Sequence, residues 1–145
     1  MSEIDDDLYM KFANCLILNT IQTARAVTRR YDNRLKSYGV TVIQFSVMSL
    51  IRKHKNLTIK ALAEHIAMDR STLTRNLDVL VKKKLVAKGN AEKGNAKVCW
   101  LTEEGDHLLD QLIPIWLQSR DELRSVLEGH DPDEYLAMLR LMAAG

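Results

Sequence analysis

The chain has 145 residues, 46% of them apolar and 28% charged, the make-up of a single globular domain. Its apolar runs fall short of the ~18 residues a membrane span needs, and the acidic start MSEIDDDLYMK lacks the basic region of an export signal, which points to a cytoplasmic protein. Charge is segregated: residues 52–97 carry twelve Lys/Arg against four acids, the remainder nine against fifteen. A basic middle between acidic ends suits a polyanion partner.

In chain order, Leu8, Phe12, Cys15/Leu16, Thr20, Thr23, Val27, Tyr31 and Leu35 follow a helical period. They predict one long helix to about Lys36, ended by Gly39. Thr41-Val42-Ile43-Gln44 is a capping box opening a second helix, which Phe45, Met48, Leu50 and Ile51 carry to about His54. Thr58 caps a short helix, Ile59 to Ile66, and Asp69 caps the next. Two short helices joined so briefly make a helix-turn-helix.

Residues 85–89 (LVAKG) and 97–101 (KVCWL) read as a two-stranded hairpin around the polar tip NAEKGNA. Thr102 caps a long helix through Leu109, Leu112 and Trp116, where Pro114 predicts a kink. Gly129 closes it. Asp131-Pro132 opens a last helix, with Tyr135, Leu136, Leu139 and Met142 on its apolar stripe.

The stretch AMDRSTLTRNLDVLVKKKLV (67–86) carries the chemistry. At 100° per residue, Leu73, Leu77, Leu80 and Val81 share one face. Ser71, Arg75, Asp78 and Lys82 lie opposite, with Thr72 and Thr74 at the margins. Hydroxyls and an Arg near a helix start reach base edges and phosphates, and Lys on later turns meets the flanking backbone. A bidentate Arg–guanine contact contributes ~1–3 kcal/mol of discrimination, which makes Arg75 the preferred specificity residue. Asp78 repels phosphate, so it is assigned either to orienting Arg75 at i,i+3 or to accepting from a cytosine.

The order of elements, with "TIKALAEHI", "DRSTLTRNLDVL" and "LTEEG", resembles the MarR family of bacterial winged helix-turn-helix transcriptional regulators over roughly residues 8–143. The resemblance implies a mainly α fold with a small β-hairpin wing. A DNA-binding lobe would span 41–101, within a single domain of 1–145. Helices at 8–38 and 103–143 would interleave in a homodimer on a pseudo-palindromic duplex operator. It places Ser71, Thr72, Thr74, Arg75 and Lys82 in the major groove. Lys60 and the wing residues Lys88, Lys93, Asn95 and Lys97 fall towards the backbone or minor groove. It also implies a repressor role answering a small aromatic or phenolic effector. Two departures stand out. The family's Asp-Arg pair at the wing tip reads Lys93-Gly94, and Lys lacks the planar fork of Arg. The Gly that commonly follows the recognition helix is Lys84, which predicts a different helix end.

Two alternatives accompany this reading. One is a redox-sensing regulator acting through Cys15. In the organic-hydroperoxide-sensing branch, however, the reactive-Cys position falls on Ile17, one Tyr partner matches Tyr31, and the other is Val42. Cys15, without a cation beside it in sequence, reads better as a packed thiol, and Cys99 likewise. The other alternative is a winged-helix protein-docking module without DNA binding. An enzyme is not indicated: there is no Gly-rich phosphate loop, H-E-x-x-H or G-x-S-x-G. No cofactor is called for, and His54, His65, His107 and His130 lack zinc-site spacing. Trp100 and Trp116 read as packing residues.

Overall fold

The computed structural model describes residues 3–145, with side chains from Asp6 onward; the first two residues of the acidic N-terminal stretch lie outside the described residues. Seven helices and one hairpin are described, in the order α1 (Glu3–Ala13), α2 (Leu16–Leu35), α3 (Val42–Lys53), α4 (Ile59–Ile66), α5 (Arg70–Lys82), β1 (Val86–Asn90), β2 (Lys97–Leu101), α6 (Glu103–Val126) and α7 (Pro132–Ala144). A 3-10 turn at Lys36–Tyr38 leads into Gly39, which takes a left-handed φ of 73°.

Local capping chemistry sets most of these boundaries. The Thr41 hydroxyl accepts from the Gln44 N–H, and the Gln44 side chain accepts from the Thr41 N–H, as a capping box requires. Thr58, Asp69, Thr102 and Asp131 each accept a backbone N–H from the first turn they precede. The continuous first helix predicted from periodicity is instead two helices. Cys15 adopts an extended ψ of 119°. The Asn14 amide donates to the Met10 carbonyl at 3.0 Å, and the Asn19 amide donates to the Ala13 and Cys15 carbonyls at 2.8 and 2.9 Å. The Asn19 amide thus takes the Ala13 carbonyl that a continuing helix would have used, while the Met10 and Cys15 carbonyls also keep the backbone N–H groups of Asn14 and Asn19.

The core lies between α3, α4, α5, the hairpin and the first half of α6, where Val47, Met48, Leu62, Leu73, Leu77, Leu80 and Leu112 are wholly buried. Val81, predicted to join them, is 36% exposed. It stands about 80° round the wheel from Leu73, at the edge of the stripe. β1 and β2 pair antiparallel, with Val86 opposite Leu101 and Lys88 opposite Cys99, and an isolated bridge joins Val98 to Thr58. Helix α6 passes through Pro114 as one helix. Arg52 of α3 clasps its first turns, donating to the Asp106 carboxylate (2.7 Å), the Asp106 carbonyl (2.7 Å) and Asp110 (2.8 Å).

The end of α5 keeps the left-handed cap that its sequence argued against. Lys84 holds φ +60°. The Leu85 N–H returns to the Leu80 carbonyl at 3.0 Å, and the Lys84 N–H to that of Val81 at 2.9 Å, the paired bonds of a Schellman end. Tertiary anchoring of Leu80 and Leu85 forces a lysine into a conformation that favours glycine. Lys84→Gly should therefore raise stability by up to about 1 kcal/mol, the relief of strain being partly offset by a freer unfolded chain. The check is the urea midpoint; a lower midpoint would mean that Lys84 is unstrained.

Candidate nucleic-acid interface

Helix α5 is anchored on one face and open on the other. Leu73, Leu77 and Leu80 are inside, whereas Ser71, Thr74, Arg75, Asp78 and Lys82 are exposed and Thr72 is half-buried. Its start is held by Asp69. That carboxylate accepts the Thr72 N–H at 2.9 Å, the Thr72 hydroxyl at 2.7 Å and the Ser71 hydroxyl. These bonds, led by that from Ser71, hold the Asp69 carboxyl well below the usual carboxylate range. Arg75 donates to the Thr72 hydroxyl oxygen at 3.2 Å, which sets its guanidinium over the first turn.

Asp78 does not orient Arg75. It pairs with Lys88 on β1 at 2.5 Å, because the strand passes beside α5 and brings an amine nearer than the guanidinium one turn away. Lys88 is consequently half-buried and turned to the helix rather than outward along the hairpin. The pair braces α5 against β1 and contributes ~0–1 kcal/mol, as a largely exposed ion pair does.

The other predicted cations are open. Lys60 on α4 is exposed, as are Lys93 and Asn95 at the hairpin tip and Lys97 on β2, whose amine donates to the Asn90 side chain at 2.6 Å. Gly94, at φ +87°, lets the tip turn where a side chain would be strained, and the Ala91 N–H closes it onto the Ala96 carbonyl at 2.8 Å.

One residue and one second role escaped the sequence reading. Arg70, at the first position of α5, is exposed beside Ser71. A cation at a helix start opposes the macrodipole, and that misfit was the available signal. Gln44 is 7% exposed and reaches the Asn76 side chain at 3.5 Å, whose amide in turn donates to the Thr72 carbonyl at 3.0 Å. A capping glutamine thus also ties α3 to the front of α5.

A second feature lies on the far side of α3. A cavity of about 190 Å³ opens between α2, α3 and α6, lined by Tyr31, Arg34, Phe45, Trp116, Ser119 and Arg120 among others. Tyr31 donates its hydroxyl proton to the Ser119 carbonyl at 3.0 Å. Arg34 bonds the Ser119 hydroxyl at 3.0 Å and pairs with Glu122, which keeps the Glu122 carboxyl below its ordinary range. Arg120 lies 5.9 Å from the Trp116 ring centroid.

Cys15 is half-buried at the α1–α2 junction. Tyr31 stands about 24 Å further along α2 and is already bonded to Ser119, so the two do not meet within one subunit. Cys99 is buried in the hairpin, and burial pushes its thiol up to about 11. His54 and His65 stack at 4.9 Å. Among the described residues no group of three or more His, Cys, Asp or Glu is placed to hold a metal, and no helix is long and apolar enough to cross a membrane.

A family model described as "MarR family" matches residues 38–94. The chain is 28% identical over 108 residues, 74% of either chain, to the organic hydroperoxide resistance transcriptional regulator of Bacillus subtilis. It is 32% identical over 94 residues, 64% of either chain, to the HTH-type transcriptional regulator SarZ of Staphylococcus aureus. Among solved structures, the M. tuberculosis transcriptional regulator MosR in complex with DNA is 30% identical. It superimposes with a TM-score of 0.79 over 90% of this chain and 95% of that one. A helix-turn-helix backed by a two-stranded wing, its second helix turning hydroxyls and cations outward, defines a winged-helix transcriptional regulator rather than an enzyme. Its sequence and fold agree on the lineage: the chain belongs to the MarR family.

Proposed function

We propose that this regulator is a cytoplasmic repressor acting as a homodimer, each subunit laying α5 in the major groove of a pseudo-palindromic duplex operator. Residues 41–101 are the DNA-binding lobe, and 8–38 with 103–143 the dimerisation helices. The observation that carries this reading is the division of α5, wholly buried along Leu73, Leu77 and Leu80 and open along Ser71, Thr74, Arg75 and Lys82. In it, Ser71, Thr72, Thr74 and Arg75 face base edges, with Lys82, Lys60, Lys93, Asn95 and Lys97 along phosphates. Lys88 contributes through its brace on Asp78.

Support for the dimer comes from apolar surface that one subunit leaves uncovered. Leu8, Tyr9, Met10 and Phe12 on α1, Leu16 and Ile17 on α2, and Met138, Leu141 and Met142 on α7 are 47–74% exposed. So much uncovered apolar surface favours burial against a second copy. The cavity beneath α3 suits a small aromatic or phenolic effector: apolar walls, the Tyr31 hydroxyl and two guanidinium groups, in a volume above the ~150 Å³ that holds benzene.

Binding of purified protein to labelled duplexes drawn from a random pool tests this reading. Affinity should fall on the order of 10³-fold between 50 and 200 mM salt if about six phosphates are neutralised, and benzoate should release the duplex. Absence of duplex affinity at 50 mM salt would leave the protein-docking alternative. A second reading has one observation in its favour, the half-buried Cys15 at a helix junction in a chain similar to an organic hydroperoxide resistance regulator. It holds if cumene hydroperoxide releases the duplex from the parent protein but not from Cys15→Ser.

A further inference from the structure

We propose that Asp69 fixes the hydrogen-bond polarity of the α5 surface, so that Ser71 and Thr72 meet the duplex as acceptors and select amino-bearing base edges, adenine N6 or cytosine N4. This rests on the reading of α5 as the major-groove helix and adds which base chemistry its first turn takes.

The argument is a count of protons. A hydroxyl owns one proton and two lone pairs, and an ionised carboxylate owns no proton. The Ser71 hydroxyl bonds Asp69 Oδ2, and the Thr72 hydroxyl bonds Asp69 Oδ1 at 2.7 Å. In both bonds the hydroxyl must be the donor. Asp69 stays ionised through the pH range of DNA binding, since the same bonds hold its carboxyl far below the ordinary range. One lone pair of Thr72 Oγ1 already takes the Arg75 N–H at 3.2 Å, which leaves it one. Ser71 is exposed and keeps both.

Acceptor-only hydroxyls have few partners on DNA. Phosphate oxygens are acceptors themselves, so a direct bond to them is lost. In the major groove, the guanine O6 and N7, thymine O4 and adenine N7 are acceptors too, and only the amino groups of adenine and cytosine donate. The residue that caps the helix therefore also chooses between base classes. Arg75 beside it supplies donors alone, so the same first turns complement an amino group at one position and a guanine at another.

Asp69→Asn separates this role from capping. Asn caps helices as well as Asp, so the fold is retained. Its single oxygen accepts the Thr72 N–H and one hydroxyl, while its amide donates to the other hydroxyl and turns that proton outward. Duplexes selected from a random pool by the parent protein, Asp69→Asn and Ser71→Ala make the test. The parent should disfavour loss of the amino-bearing base by roughly fivefold or more, the value of one hydrogen bond. Asp69→Asn should melt with the parent yet flatten that preference or shift it to guanine or thymine. Ser71→Ala, which leaves the cap untouched, should lose it while retaining the guanine position. Variants that enrich the parent's motif unchanged would overturn the assignment of Asp69 alone. A parent that enriches no motif would overturn the reading of α5 as a base-reading helix, and this inference with it.

Discussion

Arg75→Ala should discriminate less between its operator and an unrelated duplex, by about 5- to 150-fold. The side chain is exposed in the middle of the open face of α5 and is aimed by its bond to Thr72. A guanidinium that meets guanine O6 and N7 with two bonds contributes ~1–3 kcal/mol of discrimination, or about 5- to 150-fold in relative affinity. Loss of the charge also removes some attraction common to every sequence. The operator must therefore lose more than the unrelated duplex does. Lys93→Ala is the contrast: an exposed amine at the hairpin tip reaches phosphate without reading sequence, so both duplexes should weaken alike and the salt slope should fall by about two, roughly one per subunit of the dimer. Equal losses on both duplexes from Arg75→Ala would reassign Arg75 to the backbone.

Gly105→Ala should be among the most destabilising single changes available in the chain. Two effects oppose each other there. Inside a helix, Ala is favoured over Gly by about 1 kcal/mol. A Cβ at Gly105, however, would stand 2.0 Å from the Leu85 carbonyl oxygen. That oxygen is part of the backbone and already accepts the Thr102 N–H at 3.1 Å, so no rotamer change relieves the clash. Either α6 lifts off the hairpin or the Thr102 cap opens, including its bond to the Lys84 carbonyl at 2.6 Å. Overpacking costs ~1–3 kcal/mol where side chains can give way, and here they cannot, so about 3 kcal/mol or more is expected. At ~2–4 °C per kcal/mol, the melting temperature should fall by roughly 10 °C. An unchanged melting temperature would show that α6 slides freely over Leu85.

The features legible in the sequence are those decided by neighbours within a few residues. Thr41, Thr58, Asp69, Thr102 and Asp131 all cap the helices they precede, because a short polar side chain and the next three N–H groups settle the matter locally. The inward stripe of α5 followed from its period, apart from Val81 at the margin. What escaped depends on other elements. Apolar periodicity continues across Cys15, so the break held by Asn14 and Asn19 left no trace in it. A helical wheel offers Asp78 only partners on its own helix, whereas Lys88 arrives on a strand. The left-handed Lys84 is imposed by the anchoring of Leu80 and Leu85, against its own preference. Gln44 was legible as a cap, but its burial against Asn76 was not.

The backbone contact at Gly105 also governs how motion crosses the molecule. Helix α6 has 24 residues, a rod of about 36 Å, with the aromatic cavity along its second half and the base of the hairpin at its start. Where the helix meets the bare backbone of Leu85, just before β1, no side chain stands between them to absorb a displacement. A tilt of the rod at this end therefore bears directly on the base of the hairpin.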